Sequence, residues 1–154
     1  MGRASRWSRR RPSLLALGAL GLVSACYASA GTEPNTVDIT GTWTFTESFN
    51  DVAHGISCAD TGSYEISQMG TAFSGTYTQR GVCRTPQGAV SNADAGAVTA
   101  GRMAGHTLRF AAPNCAYDGS VNAPAGDRID GHVACELRDS TQTLSFAGSW
   151  KASR

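Results

Sequence analysis

The amino-acid sequence predicts an all-β protein, an eight-stranded antiparallel up-and-down β-barrel stapled by two disulfides. Three observations carry that prediction. Apolar and polar residues alternate with a period of two along eight consecutive segments. The apolar face of those segments collects every aromatic residue that follows Tyr27. Four cysteines then fall opposite one another, in pairs, across two of the predicted hairpins.

The first strand starts at Ile39: Ile39, Gly41, Trp43, Phe45 and Phe49 take odd positions, and Thr40, Thr42, Thr44, Thr46 and Ser48 take even ones, as a half-buried strand requires. A loop over residues 50–61 is expected next. Residues 62–69 and 72–83 form a hairpin about Gly70-Thr71, which sets Tyr64 against Tyr77, Ile66 against Gly75 and Cys58 against Cys83. A second long connection is expected over residues 84–94. Residues 97–103 and 106–112 turn at Ala104-Gly105, and residues 115–121 and 128–137 turn around Pro124-Ala125-Gly126. That turn places Tyr117 against Val133 and Cys115 against Cys135. The last strand, residues 144–152, matches Leu144 with Leu137 and Trp150 with Gly131. The expected bridges are Cys58 with Cys83 and Cys115 with Cys135, each stabilising by about 2 to 4 kcal/mol. Inward glycines at 41, 75, 101, 119, 131 and 148 allow the sharp bending a small barrel needs.

The first 25 residues stand apart. They hold five arginines, no acid, and an apolar run over residues 14–23 too short to span a bilayer as a helix. Removing them leaves eight basic residues of the 13 against 12 acids, so the formal charge moves from +1 to −4. This excludes a basic nucleic-acid footprint. The segment Leu22-Val23-Ser24-Ala25-Cys26 resembles the lipobox of bacterial lipoproteins, which implies cleavage before Cys26 and lipid on its thiol. Under that reading residues 1–25 are a lipoprotein signal peptide, residues 26–38 a lipidated tether and residues 39–154 the barrel. The alternative is an ordinary secretory signal cut near Ala28 or Ala30. Assigning Cys26 to lipid makes the remaining cysteines even in number, as the disulfide pattern needs. Multiple acyl chains anchor far more firmly than one, so the expected location is the bacterial cell envelope, with the outer membrane favoured by Tyr27 after Cys26.

Gly41-Thr42-Trp43 resembles the opening Gly-x-Trp of lipocalins and the Gly-Thr-Trp of avidins, and Phe73-Ser-Gly-Thr-Tyr77 and Phe146-Ala-Gly-Ser-Trp150 resemble avidin strands. The lipocalin resemblance implies a basic side chain, Arg154 or Lys151, packed over Trp43. The avidin resemblance does not extend to biotin contacts, since Phe45 and Phe49 replace polar residues and only Tyr77 matches. A similar barrel occurs in exported bacterial metalloprotease inhibitors, which implies a role for the N-terminal segment.

Strand order puts the tight turns at the lower end and both disulfides at the upper rim, where a ligand mouth is expected. Its inward polar residues are Glu47 and Gln79, with Tyr64, Tyr77 and Tyr117, and these five form the candidate ligand site. An inward glutamate is costly unless paired or wet, so Glu47 is the sharpest pointer, with an ion pair to Arg84 or Arg109, or rim exposure, as the structural explanation. Catalytic signatures such as Gly-x-Ser-x-Gly, His-Glu-x-x-His and the P-loop are absent from the sequence. No enzymatic role, cofactor or metal site is expected. His54, His106 and His132 are placed too far apart to share a metal, and His54 with Asp51 and Asp60 reads as a solvated polar loop. Two functions follow as expectations: a lipid-anchored module binding a small apolar or aromatic ligand at its mouth, or a non-enzymatic interaction protein acting through its top loops or N-terminal segment.

Overall fold

The computed structural model describes residues 36–138 and 140–154, so the signal segment, Cys26 and most of the expected tether lie outside the described residues. Eight strands follow one another: β1 Gly41–Asp51, β2 Ile56–Met69, β3 Ala72–Thr85, β4 Gly88–Ala104, β5 Thr107–Ala112, β6 Cys115–Val121, β7 Arg128–Arg138 and β8 Thr143–Ser153. Each pairs antiparallel with its neighbour, and β8 returns to β1 to close the barrel. Closure removes most of the sheet edge that an open meander would expose.

The registers of the β2–β3, β6–β7 and β7–β8 hairpins match the sequence reading, including Tyr64 with Tyr77, Tyr117 with Val133 and Leu137 with Leu144. Both disulfides form as expected, Cys58 to Cys83 and Cys115 to Cys135. Two expected loops, however, are largely strand. The connection expected over residues 50–61 shrinks to residues 52–55, and that over residues 84–94 shrinks to Pro86 and Gln87. Polar composition suggested loops there, but the residues continue the ladder, with Asp60 opposite Gly81 and Gln79 opposite Asp94. Backbone pairing is indifferent to side-chain polarity when one face meets solvent or a polar recess. The turn expected at Ala104-Gly105 lies at Gly105-His106, one residue later. On β4 a bulge between Thr99 and Arg102, with Ala100 at φ 53°, switches the inward face from even to odd positions, so Val98 and Gly101 are both buried.

All ten aromatics assigned to the inner face are buried there. Phe45 stacks on Tyr64 at 4.3 Å and Phe110 on Tyr117 at 4.6 Å between ring centroids. Trp150 meets Tyr64, Phe110 and Tyr117 edge-on. Such pairs add about 0.5 to 1.5 kcal/mol each beyond area burial. The rings fit because glycines face them. A Cβ on Gly131 would overlap the Trp150 indole, whose Nε1 donates to the Asp118 carbonyl at 2.9 Å, and one on Gly62 would overlap the Phe45 ring.

The lower end is sealed by the chain's own approach. Ile39 is buried under the barrel, and its carbonyl accepts the Trp43 Nε1–H at 2.8 Å. Arg154 lies 4.7 Å over the Trp43 ring and donates to the carbonyls of Thr40 and Asp38. Of the two basic residues that the lipocalin resemblance offered for this position, Arg154 occupies it, whereas Lys151 pairs with Asp130 on the outer face. Val37 is also held, donating its N–H to Gly105 and accepting from Gln68.

Candidate functional site

The upper half of the barrel interior differs in chemistry from the lower half. Along one row of cross-strand partners, Glu47 of β1 faces Asp60 of β2, Asp60 faces Gly81 of β3, and Gly81 faces Asn92 of β4. Glu47 and Asp60 are 5% and 2% exposed, which takes both carboxylates out of bulk water. Gly81 has no side chain, so Asp60 and Asn92, two strands apart, meet over it, and Asn92 Nδ2 donates to Asp60 Oδ2 at 3.0 Å. A Cβ on Gly81 would overlap Asp60 Oδ1. From the next row, Gln79 Nε2 approaches the same Asp60 Oδ2 at 3.4 Å.

The five residues expected from sequence are thus drawn into this region, with partners different from those anticipated. Tyr117 donates to Glu47 Oε2 at 3.2 Å, and neither Arg84 nor Arg109 pairs with Glu47, because both arginines point outward. Tyr77 donates to Asp94 Oδ2 at 2.6 Å. Tyr64 sits below, near Tyr117 and Glu47. Burial pushes Glu47 up to about 7; the Tyr117 hydrogen bond opposes that rise and the Asp60 charge adds to it. Burial likewise raises Asp60, against the bond from Asn92. Tyr64, Tyr77 and Tyr117 are all raised, chiefly by burial, with nearby carboxylates contributing to each.

Asp60, Asn92 and Asp94 were missed as site residues because residues 50–61 and 84–94 read as loops. The signal was present. Counting by two from Tyr64 through Gly62 reaches Asp60 and then Cys58, and pairing Cys58 with Cys83 already required that stretch to be strand.

The cluster expected as a solvated loop is also rearranged. Asp51 ends β1 buried, and its carboxylate accepts from the His54 N–H at 3.1 Å, His54 Nδ1 at 2.8 Å and the Ser145 N–H at 2.9 Å. Burial works to raise this carboxyl, but those bonds outweigh it and hold the group low. It pins the β1–β2 turn to β8, a structural task, and Asp60 belongs to the barrel interior instead. Among the described residues no group of three or more His, Cys, Asp or Glu side chains is placed to hold a metal ion.

One side of this upper interior is open in the sheet. β5 pairs with β4 from Thr99 to Ala104, so among the described residues 88–98 of β4 pair with β3 alone. Asn92 and Asp94 therefore line the upper interior beside a free strand edge.

The chain matches no protein-family model and no curated protein. Among solved structures it is similar to an S-type phycobiliprotein lyase from Guillardia theta, at 9% identity and a TM-score of 0.44, over 75% of this chain and 88% of that one.

Proposed function

We propose that this chain is an exported lipoprotein, anchored through lipid on Cys26, whose barrel binds a small molecule with an aromatic or apolar body at its upper end. The observation that carries the binding reading is the pair of buried carboxylates, Glu47 and Asp60, with Asn92 bonded to the latter, above an aromatic-filled lower barrel. A purely structural barrel gains nothing from burying carboxylates that a Leu or Phe would replace at lower cost. The anchor reading rests on Val23-Ser24-Ala25-Cys26. The described chain enters the barrel at its lower end, through Val37 and Ile39, opposite the end that carries Glu47 and Asp60.

One set of measurements tests the anchor and another the binding. Cys26→Ala should move the protein from the membrane to the soluble fraction, and mass spectrometry of the native protein should find acyl chains on Cys26; an unmodified thiol in membrane-bound protein defeats the anchor. Tryptophan fluorescence and thermal shift against a chemically diverse panel of small aromatic compounds should reveal saturable binding that Glu47→Gln alters. If no compound in the panel is bound, the binding reading falls.

The free edge of β4 favours a second reading, a protein partner that adds a strand along residues 88–98, where Val90 is exposed. Proline at Val90 would then abolish partner capture and leave small-molecule binding intact.

A further inference from the structure

The polar groups of the upper recess are unevenly matched, and the mismatch specifies a ligand charge. Three carboxylates, Glu47, Asp60 and Asp94, lie on the inner faces of β1, β2 and β4, and among the described residues none of them forms an ion pair. Their hydrogen-bond donors are neutral: Tyr117 to Glu47, Tyr77 to Asp94, and Asn92 and Gln79 to Asp60. Two buried oxygens, Asp60 Oδ1 and Asn92 Oδ1, have no donor among the described residues. The Asn92 amide is fixed in this orientation, because its Nδ2 serves the Asp60 carboxylate, and turning the amide over would set oxygen against oxygen. Asp60 Oδ1 is therefore an orphaned acceptor on a side chain that is 2% exposed. Leaving such a group unmatched is destabilising, and more so for a charged one.

We propose that the recess binds a small organic cation through a primary ammonium group, which donates to Asp60 Oδ1 and Asn92 Oδ1 and is held electrostatically by Asp60 and Glu47. This rests on the small-molecule reading given above and adds the chemical class. An ammonium carries three donors and one positive charge, the two quantities the recess lacks. The Tyr77 and Tyr117 hydroxyls spend their protons on Asp94 and Glu47, so what they offer inward is acceptor oxygen as well. A divalent metal suits the site less well. Its oxygen ligands would come from two carboxylates and one amide, beside the Asn92 and Gln79 amide N–H groups already turned toward Asp60. An anionic ligand would meet carboxylates of its own sign, and a neutral acceptor would bring no proton to Asp60 Oδ1 or Asn92 Oδ1.

The test is isothermal titration at pH 8, where Glu47 is ionised, of the full-length protein in detergent micelles with methylamine, benzylamine and phenethylamine, against benzyl alcohol, benzoate and calcium chloride. Saturable binding of at least one amine is expected, with benzyl alcohol and benzoate silent. Asp60→Asn should weaken that binding by about tenfold or more. Glu47→Gln, which keeps a partner for Tyr117, serves as the second variant should Asp60→Asn fail to fold, and it should weaken amine binding in the same direction. Benzyl alcohol binding as tightly as benzylamine would overturn the ammonium assignment and leave the small-molecule reading standing. Calcium binding lost in Asp60→Asn, with the amines silent, would replace it with a metal site. Silence of all amines, together with silence of the wider aromatic panel, would remove both.

Discussion

The lower and upper halves of this barrel are built on one ladder and solve opposite problems. Below, Trp43, Phe73, Phe110 and Trp150 fill the interior, and Ile39 and Arg154 close it from beneath. Each polar atom of the lower tryptophans is matched, Trp43 to the Ile39 carbonyl and Trp150 to that of Asp118. Above, the β2–β4 side carries Asp60, Gln79, Asn92 and Asp94, with two buried oxygens unmatched, and the two disulfides lie at this end. The contrast teaches where stability is generated and where it is consumed. Packed rings stabilise the lower half outright, while the upper half holds buried charge in place with covalent staples, as sites shaped for binding often do.

Three experiments break or sharpen that contrast. The largest effect should come from the filled half. Trp150→Ala empties the centre of the aromatic cluster and is expected to cost about 3 to 5 kcal/mol in denaturant unfolding. A cost under about 1 kcal/mol would mean that the lower interior is not close-packed.

A smaller effect is expected at the stapled rim. Replacing Cys58 and Cys83 together by Ala should cost about 2 to 4 kcal/mol and should loosen the recess, because the bridge joins β2 and β3 just above Asp60. Amide hydrogen exchange should then rise at Ala59–Gly62 and Arg80–Val82 well before it rises around Trp43. Uniform exchange across both halves would show that the two ends unfold as one unit.

The smallest effect is a pH dependence with a defined sign. Glu47 holds its proton in the folded chain up to about 7, whereas the unfolded chain releases it near the ordinary value of 4.5. The folded state therefore binds more protons between these values. Stability is greatest below about 4.5 and declines as pH rises through 7, by roughly 2 kcal/mol between pH 5 and 7. Glu47→Gln should remove this decline and be more stable than the parent at pH 8, with little difference at pH 4.5. A parent whose stability rises from pH 5 to 7 relative to the variant would show that Glu47 is stabilised as a carboxylate by a partner.

Much of this was readable in advance. The alternation that put Trp43, Tyr64, Tyr77 and Trp150 on one face also fixed the hairpin registers and, through them, both disulfides. Glu47 and the three tyrosines were legible as inward polar groups for the same reason: a strand's period of two converts position into facing without any knowledge of neighbours. Three things were decided only in three dimensions. The polar stretches around Asp60 and Asn92 became strand because the ladder continues through them, and composition alone says loop. The β4 bulge at Ala100 turned Val98 inward, a parity switch that no alternation rule anticipates. Above all, Asp60 and Asn92 meet across Gly81 because the closed sheet bends and the intervening residue has no side chain. A one-dimensional pattern records which face a residue occupies. Which residues meet across a strand depends on closure, and closure is a property of all eight strands together.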